Sequence, residues 1–141
     1  MIRLSAAQWR ELGAAAEAAY PEEACGLLIG TADASGALTV GGVVAAANVA
    51  PEPRRRFEID PRVHFAVLRR VRGGEESIIG HYHSHPDGPA EPSAHDVACA
   101  ADRQMVWLIL AVAAGRLIGA AAFAPIETHP GFRRLALIVE A

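Results

Sequence analysis

The chain contains no lysine, and its balance of charges argues against one large class of function. Thirteen basic residues, all of them arginine, stand against 16 aspartates and glutamates, which gives a formal net charge of −3. A protein that binds nucleic acid by releasing counterions needs a clear excess of positive charge. The composition therefore predicts no nucleic-acid partner.

Long apolar runs and cysteines are also scarce. The longest apolar run, residues 105–114, is about half as long as a membrane-spanning helix requires. No apolar run of signal-peptide length occurs at the N-terminus. The two cysteines, Cys25 and Cys99, could pair, but two isolated thiols are more often reduced and buried, and we expect that state here. We therefore expect a cytoplasmic protein without a membrane segment.

What is present fits a folded domain with both helices and strands. The length of 141 residues and the 52% hydrophobic content indicate one domain, which we place at residues 1–141. Capping residues and amphipathic patterns predict helices over residues 5–20, 60–72 and 93–101. Apolar β-rich runs predict strands over residues 24–30, 38–49, 57–59, 77–83, 105–113, 116–124 and 132–139. The Gly41-Gly42 pair predicts a bend or bulge. This order indicates an α/β fold with helices packed on a mixed sheet.

Most of the residues that could carry chemistry lie between positions 80 and 96. Alternate residues of a strand share a face, so His81, His83 and His85 point the same way as the strand leaves the sheet. Two such imidazoles can converge on one metal ion, and Asp96, in the first turn of the next helix, could supply a third ligand. Two histidines, one carboxylate and an open position are how catalytic zinc is held.

A hydrolytic zinc site also needs a base that is not itself a ligand. Glu22 and Glu23 stand at the start of the first predicted strand and are the pair to consider. The spacing alone leaves two interpretations of His83 and His85 open, because most histidine pairs of this kind are ordinary surface or core residues.

A family resemblance bears on this choice. The segment HSHP at residues 83–86, followed by Ser93 and Asp96, resembles the signature of the JAMM metalloproteases, also called the Jab1/MPN/Mov34 group. Residues 23–30 resemble the first strand of that family, which begins with its catalytic glutamate.

Further positions extend the resemblance to the short bacterial members of the family. Asn48 and the run RFEIDP at residues 56–61 are similar to theirs, and the likeness spans residues 22 to about 112. The fold that it implies is a single α/β domain, a curved mixed β-sheet with helices on both sides. Cytidine deaminases have a similar architecture.

The resemblance also implies roles for individual residues. Glu23 would accept a proton from the attacking water and later deliver it to the leaving amine. Ser93 would donate a hydrogen bond to the oxyanion of the tetrahedral intermediate. Glu22 would be a neighbour on the opposite face. The Zn²⁺ ligands would be His83, His85 and Asp96.

The function that the resemblance implies is that of a zinc-dependent metalloprotease. The substrate would be a peptide or isopeptide bond after the C-terminal Gly-Gly of a ubiquitin-like protein of the sulfur-carrier type. The long insertions of eukaryotic deubiquitinases are missing after Asp96, which argues against polyubiquitin-linkage specificity. A homodimer is compatible with the sequence.

Two other classes of function are compatible with such a chain. One is a non-catalytic module that binds ubiquitin-like proteins, but such family members lack the metal ligands that are intact here. The other is a zinc hydrolase that acts on a small molecule. Against it, the Cys-x-x-Cys ligands of nucleobase deaminases are absent.

Four further features carry expectations of their own. We expect His81 to pack or to support the ligands, and His95 to lie on the surface. We expect Cys25 to be a small buried hydrophobic residue, and the alternative is that its thiolate contacts the zinc. Residues 53–59, with their three arginines, are the candidate edge for an extended Gly-Gly tail, the alternative being a mobile loop.

Overall fold

Eight strands and three helices make up the part of the chain that the computed structural model describes, residues 1–99, 105–126 and 131–141. Within these residues no helix has the length and apolar character needed to span a membrane. The helices are α1 (Ala6–Ala19), α2 (Pro61–Val71) and α3 (Ala94–Cys99). The strands are β1 (Ile2–Ser5), β2 (Cys25–Ala32), β3 (Leu38–Ala46), β4 (Ser77–Pro86), β5 (Val106–Ala113), β6 (Arg116–Pro125), β7 (Phe132–Leu135) and β8 (Leu137–Glu140).

The strands form one mixed sheet that curls until it nearly closes. Their order is β7-β6-β5-β4-β2-β3-β1-β8. The two end strands, β7 and β8, are separated in the chain by Ala136 alone, and the carbonyl of Ala136 accepts a hydrogen bond from the Ile2 N–H at 2.9 Å. The C-terminal segment therefore links β6 to β1, and the curved α/β sheet expected from the sequence is confirmed.

Helices cover both faces of this sheet, as expected. Leu12 of α1 belongs to the main core, in which Leu28 and Leu108 of the central strands are fully buried. Val67 of α2 packs against Leu27 and Ile29 on the other face. Because residues 27 and 28 alternate between the faces, β2 is buried between the two helices.

The bend or bulge predicted at Gly41-Gly42 is confirmed, whereas the strand predicted over residues 57–59 is wrong. Ile29 pairs with Gly42 and Gly30 with Val40, so Gly41 is the extra residue of a β-bulge. The strand predicted over residues 57–59 is reduced to one isolated bridge between Asn48 and Ile59. The preceding loop is held by side-chain hydrogen bonds instead of a ladder. The third predicted helix is described only as far as Cys99, whose side chain lies outside the described part.

Candidate metal centre

The central strands β2 and β4 bring the predicted site residues together. They run antiparallel, with Cys25 opposite His83, so Glu23 lies two residues before the paired position of the first histidine. Strand β4 continues to Pro86, three residues beyond the predicted end. His83 and His85 are therefore both strand residues and project from the same face.

Three of the predicted ligand atoms converge on one point. The Nε2 atoms of His83 and His85 are 3.1 Å apart, and Oδ2 of Asp96 lies 3.4 Å from the first and 3.1 Å from the second. Ligand atoms about 2.0–2.1 Å from a tetrahedral zinc ion lie roughly 3.3–3.4 Å from one another. The donor set thus fits a metal ion. Glu23 and the two histidines also form a group that could hold a metal, with ligand atoms within 4.8 Å of one another.

The two imidazoles are oriented in different ways. Nδ1 of His85 lies 2.9 Å from the Pro89 carbonyl oxygen, to which it can donate only when it carries the ring hydrogen. Nε2 then keeps its lone pair for a metal, which is a common arrangement around metal-bound histidines. The ring of His83 instead stacks on Phe57, with ring centroids 4.2 Å apart, and its Nδ1 is buried with no hydrogen-bond partner among the described residues.

Asp96 is held in place by the residue that begins its helix. The Ser93 N–H donates to Oδ2 of Asp96 at 2.8 Å, and the Asp96 N–H donates to Oγ of Ser93 at 3.0 Å. This reciprocal pair fixes the carboxylate against the histidines. It leaves the hydroxyl hydrogen of Ser93, an exposed residue, available as a donor.

The electrostatics of the cluster favour a cation at the point of convergence. Burial opposes the charged form of Asp96, but hydrogen bonds from His83 and His85 outweigh it and hold the pKa of Asp96 below its usual range. Burial lowers the pKa of His83. Burial also disfavours a charged His85, but the bonds to Asp96 and the Pro89 carbonyl outweigh it and raise its pKa. A carboxylate that draws a proton to this point would also draw a metal ion, which competes with that proton.

Glu23 is buried, whereas Glu22 is exposed. Burial raises the pKa of the Glu23 carboxyl to about 7; nearby Asp96 adds to the rise and His85 opposes it. A carboxyl with a pKa near neutral can both accept and return a proton. Of the two glutamates considered from the sequence, Glu23 is the one buried beside the histidines.

Ser84, between the two histidines, was not predicted from the sequence to have a role of its own. It is fully buried, and its Oγ accepts a hydrogen bond from the Ala24 N–H at 2.7 Å. The Ser84 N–H donates in return to the Ala24 carbonyl at 3.0 Å. The histidine strand is thereby joined directly to the residue after Glu23. The only signal in the sequence was the place of Ser84 within the HSHP segment.

The remaining candidates lie around the cluster without joining it. His81 packs against Trp107, with ring centroids 4.5 Å apart, and burial lowers the pKa of His81 to about 3. His95 is exposed. Sγ of Cys25 lies 3.8 Å from the carbonyl oxygens of Ala46 and Ala47, and burial raises the pKa of the thiol to about 12. A neutral thiol that faces backbone carbonyls is the small buried hydrophobe expected from the sequence.

Most of the chain matches a known protein family. Residues 5–123 match the model of the prokaryotic homologs of the JAB domain. The chain belongs to the JAB family. The resemblance drawn from the HSHP segment and its upstream glutamate is thereby confirmed.

Two curated relatives of this JAB chain have names that describe an enzymatic activity. Desampylase from Haloferax volcanii is 38% identical over 89 residues, which are 63% of this chain and 62% of that protein. A protein of Thermus thermophilus named as a probable TtuB-protein conjugate cleaving protease is 34% identical over 77 residues, 55% of this chain and 48% of that protein. The chain thus spans only about half to three-fifths of these relatives' length.

Solved structures share the JAB fold over nearly all of the chain. A protein from Desulfitobacterium hafniense has a TM-score of 0.85 at 31% identity and covers 99% of this chain and 93% of its own. A protein from Salinibacter ruber has a TM-score of 0.74 at 31% identity and covers 97% of this chain and 90% of its own. A JAB1/MPN domain protein from Archaeoglobus fulgidus, at 16% identity and a TM-score of 0.62, shows the likeness of fold alone.

Proposed function

We propose that this chain is a zinc-dependent metalloprotease that cleaves the peptide or isopeptide bond after the C-terminal Gly-Gly of a ubiquitin-like protein. The observation that carries the proposal is the convergence of His83, His85 and Asp96 within 3.4 Å of one another, with buried Glu23 beside them. The names of the two relatives, a desampylase and a conjugate cleaving protease, support the same class of reaction. The cytoplasmic location and the homodimer stay predictions.

In this proposal the zinc ligands are His83, His85 and Asp96. When bound, zinc supplies Lewis acidity that polarises the scissile carbonyl and lowers the pKa of water. Glu23 lies next to the two imidazoles but need not be a ligand, because Asp96 already completes the set of three. Its carboxylate takes the proton of the attacking water, and the resulting acid gives that proton to the leaving amine.

Ser93 stabilises the developing negative charge in this scheme. Its Oγ already accepts the Asp96 N–H, so the hydroxyl hydrogen can be directed toward the substrate. Removal of one oxyanion donor typically costs about 10²–10³ in turnover. The backbone N–H of Ser93 holds Asp96, so the residue supports both a ligand and the reaction.

The loop of residues 50–58 is the proposed contact for the substrate. Arg54 and Arg55 are exposed on it, next to Glu22 and Pro53 in a shallow depression of about 300 Å³. Their guanidinium groups would meet carboxylates on an acidic ubiquitin-like body. The extended Gly-Gly tail would lie along residues 53–59, adding a strand beside the bridge at Ile59, the one position of this segment that pairs as a strand does.

The test measures metal and cleavage in the same preparation. We expect the full chain to retain about one zinc ion and to release the expected products, read by mass, from ubiquitin-like proteins fused through Gly-Gly. His83→Ala and His85→Ala should each abolish both properties. His64→Ala removes an exposed histidine of α2 and serves as the matched control. Full metal occupancy in His83→Ala/His85→Ala would contradict the site, and metal binding without any cleavage would favour a binding module.

A further inference from the structure

Glu23 does not owe its position to regular strand pairing. Strand β2 begins only at Cys25, two residues later. The backbone of Glu23 is held instead by two bonds to neighbouring segments: its N–H donates to the Pro53 carbonyl at 2.7 Å, and its own carbonyl accepts from Nδ2 of Asn48 at 3.0 Å. Nδ2 also lies 3.4 Å from the Pro53 carbonyl oxygen.

Asn48 uses its whole amide in this way. Nδ2 donates its second hydrogen to the Arg56 carbonyl at 2.9 Å, while Oδ1 accepts from the Ala50 N–H at 3.1 Å and the Glu58 N–H at 3.0 Å. A side-chain amide has two donor hydrogens and two acceptor lone pairs, so all four are engaged. One side chain therefore folds the loop of residues 50–58 around itself and ties that loop to the backbone of Glu23.

We infer that Asn48 is a positioning residue that sets the place of the Glu23 carboxylate by holding its backbone. The inference rests on the proposed role of Glu23 as the base. The amide nitrogen is the part of Asn48 that reaches Glu23, whereas the amide oxygen reaches only the loop. The amide nitrogen thus holds both Glu23 and the Arg56 carbonyl of the loop, whereas the amide oxygen holds the loop alone.

The chemistry of the pocket requires an amide at position 48. Aspartate has the same shape and would keep the two bonds from Ala50 and Glu58. It would, however, put carboxylate oxygen against the carbonyls of Glu23 and Arg56, which is repulsive. Glutamine would keep all the hydrogen-bonding groups on a stem one methylene longer, which shifts the donor end relative to Glu23.

The experiment is a double-mutant cycle on turnover of a Gly-Gly fusion. A displacement of about 1 Å at a reacting group can cost on the order of 10²-fold. We therefore expect Asn48→Asp to lower kcat by about ten- to a hundredfold, with a smaller change in KM because the two loop bonds from the Ala50 and Glu58 N–H groups remain. In a Glu23→Gln background the same substitution should change the residual kcat by less than about twofold, because the positioned base is already gone. Asn48→Gln should lie between wild type and Asn48→Asp.

Asp33 provides the matched control. Its Oδ1 accepts the N–H groups of Ser35 and Ala37 in the turn between β2 and β3, at the far end of β2 from Glu23. Asp33→Ala thus removes a similar loop-anchoring side chain. It should lower the melting temperature without changing kcat.

The outcomes separate this inference from the proposed function. An equal loss of kcat from Asn48→Asp with and without Glu23 would make Asn48 merely structural and overturn the inference. A kcat unchanged by Asn48→Asp in a folded, metal-loaded protein would do the same. If Asn48→Asp does not fold, the identical cycle with Asn48→Gln decides between these results. If Glu23→Gln alone leaves kcat intact, it is the proposed function that fails.

Discussion

The site has two halves that are built differently. His83 and His85 lie on β4, which is paired on both sides by β2 and β5, so the ladder of a central strand fixes them. Asp96 and the loop of residues 50–58 are instead fixed by a few individual side-chain hydrogen bonds. Disturbing the residues that support the histidine strand should therefore cost mainly stability, whereas disturbing those that hold Asp96 and the loop should cost catalysis at nearly constant stability.

The largest expected effect comes from Glu23, at the junction of the two halves. Glu23→Gln keeps the shape of the side chain and removes the base, so turnover should fall by about 10²–10⁴-fold while metal content is unchanged. Steady-state kinetics together with metal analysis check this result. Glu22→Gln is the control and should be nearly silent, because that side chain is exposed. If Glu22→Gln proved the damaging change, the assignment of the base would be wrong by one residue.

Ser93 represents the half that is held by hydrogen bonds. Ser93→Ala keeps the backbone N–H that holds Asp96 but removes the hydroxyl. Turnover should fall by about 10²–10³-fold, as for other oxyanion donors. The loss of a helix-capping oxygen should cost only about 1 kcal/mol of unfolding free energy. Ser93→Thr keeps a hydroxyl and should have most of the wild-type activity. An inactive Ser93→Thr would show that the hydroxyl takes no part in the reaction.

Ser84 represents the strand half. Ser84→Ala leaves the Ala24 N–H buried without its present acceptor, which should cost about 1–3 kcal/mol in denaturant unfolding. Ser84→Thr keeps the oxygen and is the matched control. Turnover per folded, metal-loaded molecule should change less than in Ser93→Ala. A larger loss of turnover in Ser84→Ala than in Ser93→Ala would contradict the distinction between the two halves of the site.

The arginines of the loop should give the smallest effect. Arg54→Glu/Arg55→Glu should raise KM for a ubiquitin-like fusion a few-fold, because exposed ion pairs are each worth only about 0.2–1 kcal/mol. The KM should also become less sensitive to salt, while cleavage of a short peptide ending in Gly-Gly changes little. Arg10→Glu/Arg116→Glu makes the same change of charge on α1 and β6. Equal changes of KM in both double variants would show that the loop takes no part in substrate recognition.

Features with local causes could be predicted from the sequence. Ser5 caps α1 through a reciprocal pair with Gln8, as its place before an alanine-rich run indicated. Ala114 and Gly115 adopt the positive φ angles of 49° and 81° that a tight hairpin needs. The bulge at Gly41 was predicted from the adjacent glycines Gly41 and Gly42. In the site, strand alternation alone placed His83 and His85 on one face.

Features with distant causes could not be predicted. Strand β1 is four residues long and exists because it pairs with β3 and β8, from opposite ends of the chain. The strand predicted over residues 132–139 divides at Ala136 into β7, which pairs with β6, and β8, which pairs with β1. In the site, Phe57 stacks on His83, and Asn48 reaches Glu23 from 25 residues away. Residue type and spacing along the chain carry no information on such partners.

The most direct test of the account is the identity of the atoms around the metal. X-ray absorption of the zinc-loaded chain should show only nitrogen and oxygen neighbours at about 2.0–2.2 Å, from His83, His85, Asp96 and solvent. The spectrum should be unchanged in Glu23→Gln, because that residue acts as a base. A sulfur neighbour at about 2.3 Å would place Cys25 on the metal, and a spectrum altered in Glu23→Gln would make Glu23 a ligand; either result would contradict the account.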